Sequence, residues 1–199
     1  MARTPTPRDR LIDTAAELFY SRGLPNVGIN EVTELAGVAR MTLYNNFNSK
    51  EALALAAFER KAEARRALME ERLERARTPA DAVKAMFDIS EHFATEPSFR
   101  GCPFINVTVQ DPQPEGPMHV LVRKHKLWIR EKFRDIAAKA GHKKPDVTAQ
   151  QLLALLDGSS MEAFIQGDTE TIRASKQAAL FLLNAPRSTR ETKSITTPT

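Results

Sequence analysis

A short stretch of the chain holds side chains whose types and spacing suit the reading of a nucleic-acid duplex: Arg40, Met41, Thr42, Tyr44, Asn45, Asn46 and, just beyond, Lys50. Leu43 and Phe47 stand one helical turn apart, so they point inward together. At roughly 100° per residue, Met41, Thr42, Tyr44 and Asn45 then point away. Thr, Tyr and Asn donate and accept hydrogen bonds, and a thioether can touch a thymine methyl. Arg40 at the helix start can reach a guanine edge or a phosphate. Lys50 falls in the first turn of the next helix, where unpaired N–H groups and the positive dipole end already favour an anion. A cation there is unfavourable for the helix alone and makes sense beside a phosphate. Taken by itself, the outward face also suits a solvated helix of an ordinary bundle.

Other candidates for chemistry lie downstream. Phe87, Phe93, Phe104, Trp128 and Met161 can wall a pocket, with His92, Asn106 and His125 as polar groups that orient a ligand. Each aromatic also suits plain core. Cys102 can serve as a redox or electrophile-sensing thiol if a cation lowers its pKa, with Arg100 a possible helper. It equally suits a small buried hydrophobe. His92, His119, His125 and His142 show no metal-ligand spacing. No Gly-rich phosphate loop follows a strand, and no nucleophile motif is present. The expectation is therefore no enzyme, no metal and no cofactor.

The reading surface needs elements to hold it. Ile29, Val32 and Ala36 fall at helical spacing before Gly37, and Leu43 and Phe47 after it. Gly37 suits the sharp turn between them, because glycine tolerates positive φ. Two short helices about a tight turn are the parts of a helix-turn-helix. Neither is long enough to stand alone in water. The supporting surface comes from an earlier helix: Thr6-Pro7-Arg8-Asp9 is a helix start, and Ile12, Ala15, Ala16 and Phe19 make its apolar face up to Gly23. Asn48, with Glu51 three residues on, reads as the cap of the helix that follows.

These residues carry a resemblance. Ala16, Leu18, Phe19, Gly23, Ile29, Glu31, Val32, Ala36, Gly37, Val38, Thr42, Leu43, Tyr44, Phe47, Ser49, Lys50, Glu51 and Leu53 resemble the N-terminal signature of the TetR family of transcriptional regulators, over about residues 8 to 58. Two positions depart from that pattern. Gly28 stands where Ser or Thr usually caps the second helix, and Thr33 stands where a small Ala is usual. Thr33 either tucks against Leu43 or turns its hydroxyl to a phosphate. The resemblance implies an all-α fold of about nine helices. A three-helix helix-turn-helix head is joined by a long helix to a helical ligand-binding and dimerisation body. The implied division is a DNA-binding domain over 1–50 and a body over 51–185; residues 186–199, polar and proline-containing, are expected to form a disordered tail.

The rest of the chain is read on its own pattern. The helix from Asn48 turns charge-rich between Glu59 and Arg77, most simply a solvated face. Thr78-Pro79-Ala80-Asp81 starts another helix, ended by Pro97. Phe99 to Asp111 is ambiguous between strand and helix. Pro103 favours a short helix, and Phe-Arg-Gly-Cys-Pro-Phe also resembles the body of a TetR subgroup. A helix follows from about Met118 to Ala140, then an apolar helix around Gly158-Ser159-Ser160 and another from Thr169 to Ala185. The resemblance makes the last two the dimer interface.

The 199 residues suffice for one large domain or two small ones, and the net charge of +4 is compatible with nucleic acid without requiring it. The head is nearly balanced: Arg3, Arg8, Arg10, Arg22, Arg40 and Lys50 face Asp9, Asp13, Glu17, Glu31 and Glu34. Placement of charge must carry the binding. Arg3 either reaches a phosphate or minor groove or frays as a tail. The N-terminus has no apolar signal region, no run is long enough to span a bilayer, and the single cysteine fits a reducing cytosol, so the expected location is cytoplasmic. The expected function is a dimeric repressor that releases a near-palindromic operator on binding a small, largely apolar molecule. The alternatives are a thiol-based sensor through Cys102 and an activator.

Overall fold

The computed structural model describes residues 4–184. Arg3 and the tail 186–199 lie outside the described residues, as does the expected helix end at Ala185. Among the described residues the chain is all-α, with nine α-helices and one short 3-10 turn.

Helix α1, Pro7–Arg22, starts as its residue types dictate. Thr6 accepts from the Asp9 amide at 3.1 Å, while the Asp9 carboxylate accepts from the Thr6 amide at 3.0 Å. The reciprocal pair satisfies N–H groups that the helix cannot. Helix α2 spans Ile29–Leu35 and α3 spans Arg40–Asn46. Gly37 takes φ 62° between them. The Val38 amide donates to the Thr33 carbonyl and the Gly37 amide to that of Glu34, both at 3.0 Å. That left-handed cap needs glycine, because an L side chain there meets its own backbone.

Helix α4, Lys50–Glu74, is capped by Ser49, whose hydroxyl accepts from the Ala52 amide at 3.1 Å. This corrects the expected Asn48–Glu51 cap by one residue: both Asn48 and Ser49 are cap formers, and the serine takes the position. The helix also stops at Glu74, short of Arg77. Leu11, Ile12, Phe19, Val32, Leu43 and Phe47 share one buried core with the first turns of α4. Arg60 of α4 fastens α1 from outside, reaching Asp9 and Asp13 carboxylates at 2.7 Å each.

Helices α5, Pro79–Ala94, and α6, Pro103–Gln110, follow; the ambiguous segment is a helix that begins at its proline. Then come α7, Pro117–Lys139, α8, Pro145–Gln166, and α9, Glu170–Asn184. The head core does not close on itself: Phe104 and Val107 of α6 and Met118 and Val122 of α7 belong to it. A second core gathers Met69 of α4 with Phe87, Phe133, Leu152, Ile172 and Ala179 of the later helices. Helix α4 thus runs through both.

Candidate nucleic-acid interface and body cavity

Leu43 of α3 is fully buried and Phe47, which caps the helix, nearly so, and this rotation turns the opposite side outward. Met41 is 69% exposed and Tyr44 45%, both on the side of the helix opposite Leu43. Arg40, Asn45 and Asn46 are exposed, and Thr42 and Lys50 are half-buried. The side chains are partly tied down. The Arg40 guanidinium donates to the Tyr44 hydroxyl at 3.2 Å and lies 5.6 Å from its ring centroid, and the Asn46 amide donates to the Thr42 carbonyl at 2.7 Å. Thr33 is buried with its hydroxyl donating to the Asn30 carbonyl at 2.8 Å, so it faces no phosphate. Gly28 caps α2 with no side-chain bond.

A cavity of about 390 Å³ opens in the body beside the head. Tyr20 of α1 forms part of its wall, with Lys61 and Arg65 of α4, Phe93 of α5, Phe104 of α6 and His125 of α7. Of the residues expected to wall a pocket, Phe93, Phe104 and His125 do so. The others are absent from the wall. Phe87 is fully buried in the second core, and Trp128 lies under Arg66 and Lys132. The Asn106 amide is spent on the Arg100 carbonyl, and Met161 packs against Gly101. His92 is exposed and off the wall.

The wall is also far more charged than expected. Lys61, Arg65 and Lys126 bring cations, and Glu17, Glu96 and Asp157 bring carboxylates. Lys126 is paired with Asp157, and its ammonium also donates to Cys102 Sγ at 3.4 Å. Burial works against that ammonium, but Cys102 and Asp157 outweigh it and hold its pKa above the ordinary lysine value. The expected helper Arg100 instead donates to the Phe99 carbonyl at 2.7 Å. Burial, then the cations Lys126, Arg66 and Arg65, push the His125 pKa down to about 3, so its imidazole is neutral. Its ring lies 4.0 Å from that of Phe104.

Sequence reading missed Tyr20, Lys61, Arg65 and Lys126. Their charges and spacing look like a solvated helix face, and only the fold of residues 96–104 across α4 and α7 turns that face inward. Tyr20 joins the two halves directly: its hydroxyl donates to the Gly101 carbonyl and accepts from the Arg100 amide.

A helix-turn-helix head with an outward polar-aromatic face, carried on a helical body with its own cavity, defines a DNA-binding regulatory protein. Residues 11–57 match the family model described as bacterial regulatory proteins, tetR family. An uncharacterized HTH-type transcriptional regulator of Mycobacterium tuberculosis is 44% identical over 54 residues, covering 27% of each chain. The HTH-type transcriptional activator FasR of Mycolicibacterium smegmatis is 38% identical over 90 residues, covering 43% of this chain and 41% of that one. The chain thus aligns with well under half the length of these curated relatives. The likeness to a solved TetR-family transcriptional regulator from Streptomyces coelicolor runs much further. It covers 87% of this chain and 94% of that one, at 28% identity and a TM-score of 0.81. Residues 11–57 thus carry the N-terminal domain of the tetR family, a family of regulators rather than enzymes, and the chain as a whole shares the all-α fold of a solved TetR-family transcriptional regulator. No described helix is long and apolar enough to cross a membrane.

Proposed function

We propose that this protein is a dimeric cytoplasmic regulator that sets Arg40–Asn46 into the major groove of a near-palindromic operator. Residues 1–50 supply the reading head and 51–185 the effector and dimer body. The observation that carries this is the opposition of faces in α3: Leu43 buried, Met41 and Tyr44 exposed. Arg40, Met41, Thr42, Tyr44, Asn45 and Asn46 meet base edges and nearby phosphates, and Lys50 meets a phosphate. Two copies pair through α8 and α9, where Ile165 is 69% exposed and Phe181 79%. A small molecule in the cavity of about 390 Å³ changes the spacing of the two heads and so releases DNA. Repression is the default for this arrangement. The likeness to FasR, an activator by name, supports activation as the other polarity.

Gel shifts on the promoter of the protein's own gene test the reading. Tyr44→Ala and Lys50→Ala are expected to weaken binding while leaving the fold intact. Lys50→Ala should act alike on all sequences and reduce the salt slope by about one, since a phosphate contact carries little sequence information. Unchanged affinity in both variants sinks the assignment.

Lys126 beside Cys102 supports a second reading, a thiol-based electrophile or oxidant sensor. The Lys126 ammonium donates to Cys102 Sγ at 3.4 Å, where it would stabilise negative charge developing on the sulfur as it attacks an electrophile. Alkylation of Cys102 by iodoacetamide should slow in Lys126→Met. Equal rates, or oxidant response surviving Cys102→Ser, remove this reading.

A further inference from the structure

Two cations on the cavity wall make no direct ion pair among the described residues. Lys61 and Arg65 lie one turn apart on α4. Neither makes a hydrogen bond or ion pair among the described residues, and each instead covers an aromatic ring. The Lys61 ammonium is 5.0 Å from the Tyr20 ring centroid, and the Arg65 guanidinium is 3.4 Å from that of Phe93. The remaining carboxylates of the wall act on them only through space, Glu17 and Glu96 on Lys61 and Glu96 on Arg65, without a direct contact. Asp157 is taken by Lys126, and Glu17 and Glu96 are exposed and unpaired.

A third polar group waits on the same wall. His125 is 1% exposed, and its Nδ1 has no hydrogen-bond partner among the described residues. Native interiors rarely leave such an atom unused. The apolar remainder is also on the wall: Phe99, Phe104 and Met86.

We propose that the effector is a small organic anion, its carboxylate held by Arg65 and Lys61 and its apolar body laid against Phe99 and Phe104. This rests on the reading of the cavity as the effector site. Charge decides the class. A buried guanidinium presents N–H donors in a fork that matches a carboxylate, and an unpaired charge away from water is costly. Burial already pushes the Arg65 pKa down to about 10, which leaves it charged at neutral pH. A carboxylate would relieve that cost. A cationic ligand seated between Lys61 and Arg65 would meet two like charges, and the rings of Tyr20 and Phe93 beside them are already covered by those cations. A neutral ligand would leave Arg65 and Lys61 buried deeper and still unpaired. Neutral His125 adds a donor or acceptor for a second polar group on the ligand without adding charge.

Matched probes test the class on the full chain at pH 7. Octanoate, 4-phenylbutyrate and 1-naphthylacetate are each compared with the corresponding primary amide and amine by calorimetry and thermal shift. At least one acid should bind about tenfold or more tightly than its amide and amine, a difference of about 1.4 kcal/mol. Arg65→Gln and Lys61→Gln should each weaken that acid about tenfold while leaving amide affinity within about threefold, and Arg65→Lys should keep most of the preference. If Arg65→Gln does not fold, the order of affinities on the unaltered chain decides. An amide or amine binding as tightly as its acid overturns the anion assignment and leaves the cavity an effector site. Binding by no probe overturns both.

Discussion

Tyr20 and Gly101 tie the reading head to the body. The phenol donates to the Gly101 carbonyl at 2.8 Å and accepts from the adjoining Arg100 amide at 2.7 Å. Gly101 stands at φ 76°, a conformation that L side chains rarely adopt, so glycine lets the chain turn its carbonyl to α1 without strain. Burial pushes the Tyr20 pKa up, which keeps the hydroxyl a donor. Tyr20 also walls the cavity. One side chain therefore touches the head core's own helix, the body backbone and the space for a ligand.

Tyr20→Phe keeps the ring and removes both hydrogen bonds. The loss should cost about 1–2 kcal/mol and lower Tm by about 2–8 °C for a chain of this size. Its larger effect should be on coupling: the ratio of operator affinities without and with an effector should move toward one. Differential scanning fluorimetry reads the first and fluorescence anisotropy the second. A variant with unchanged Tm and unchanged ratio would show that α1 and the Gly101 turn act independently.

His125 should make the fold acid-labile. Burial and the cations Lys126, Arg66 and Arg65 hold its pKa at about 3, against about 6.5 in an unfolded chain. Between those values the unfolded chain binds a proton that the folded chain refuses. The full stability is therefore present above about pH 6.5 and falls as pH drops, by up to about 1.4 kcal/mol per unit. Urea unfolding at pH 7 and pH 5 should show wild type losing about 1–2 kcal/mol more than His125→Leu over that interval. Equal losses would mean that the ring protonates freely in the folded protein.

The cap of α4 separates what was legible from what was not. The head could be read residue by residue because Leu43, Phe47, Gly37 and the Thr6–Asp9 box each have one local solution, and these agree with one another. At the head's end two cap formers, Asn48 and Ser49, stand side by side, and spacing to Glu51 favoured the wrong one. Only Ser49 makes the bond to Ala52. Ser49→Ala should cost about 1 kcal/mol, whereas Asn48→Ala should cost a few tenths at most. Thermal melts of the two variants check this, and the reverse order would restore the cap to Asn48. The cavity was less legible for a different reason. Lys61 and Arg65 sit in a charge-rich run, and long cationic side chains lie along apolar surface as readily as in water. Periodicity along α4 cannot say that α1 and residues 96–104 close over them.

The outer faces of α8 and α9 should carry the pairing of two copies. On α9, Ile172, Ala179 and Leu183 are buried within the protomer, while Phe181 points away from them at 79% exposure. On α8, Ile165 and Phe164 are exposed. Phe181→Glu therefore leaves the protomer's own core untouched and places a charge where a second copy would press an apolar face. Sedimentation should give a species near 22.2 kDa for the variant and twice that for the unaltered chain. Recognition helices in a paired protein sit roughly 34–36 Å apart and gain from both half-sites. The variant should then bind a full palindrome about as weakly as a single half-site, while Lys50 still sets the salt slope per head. A Phe181→Glu protein that sediments as a pair and still prefers the full site would move the interface off α9. The spacing argument would then have to start from another surface.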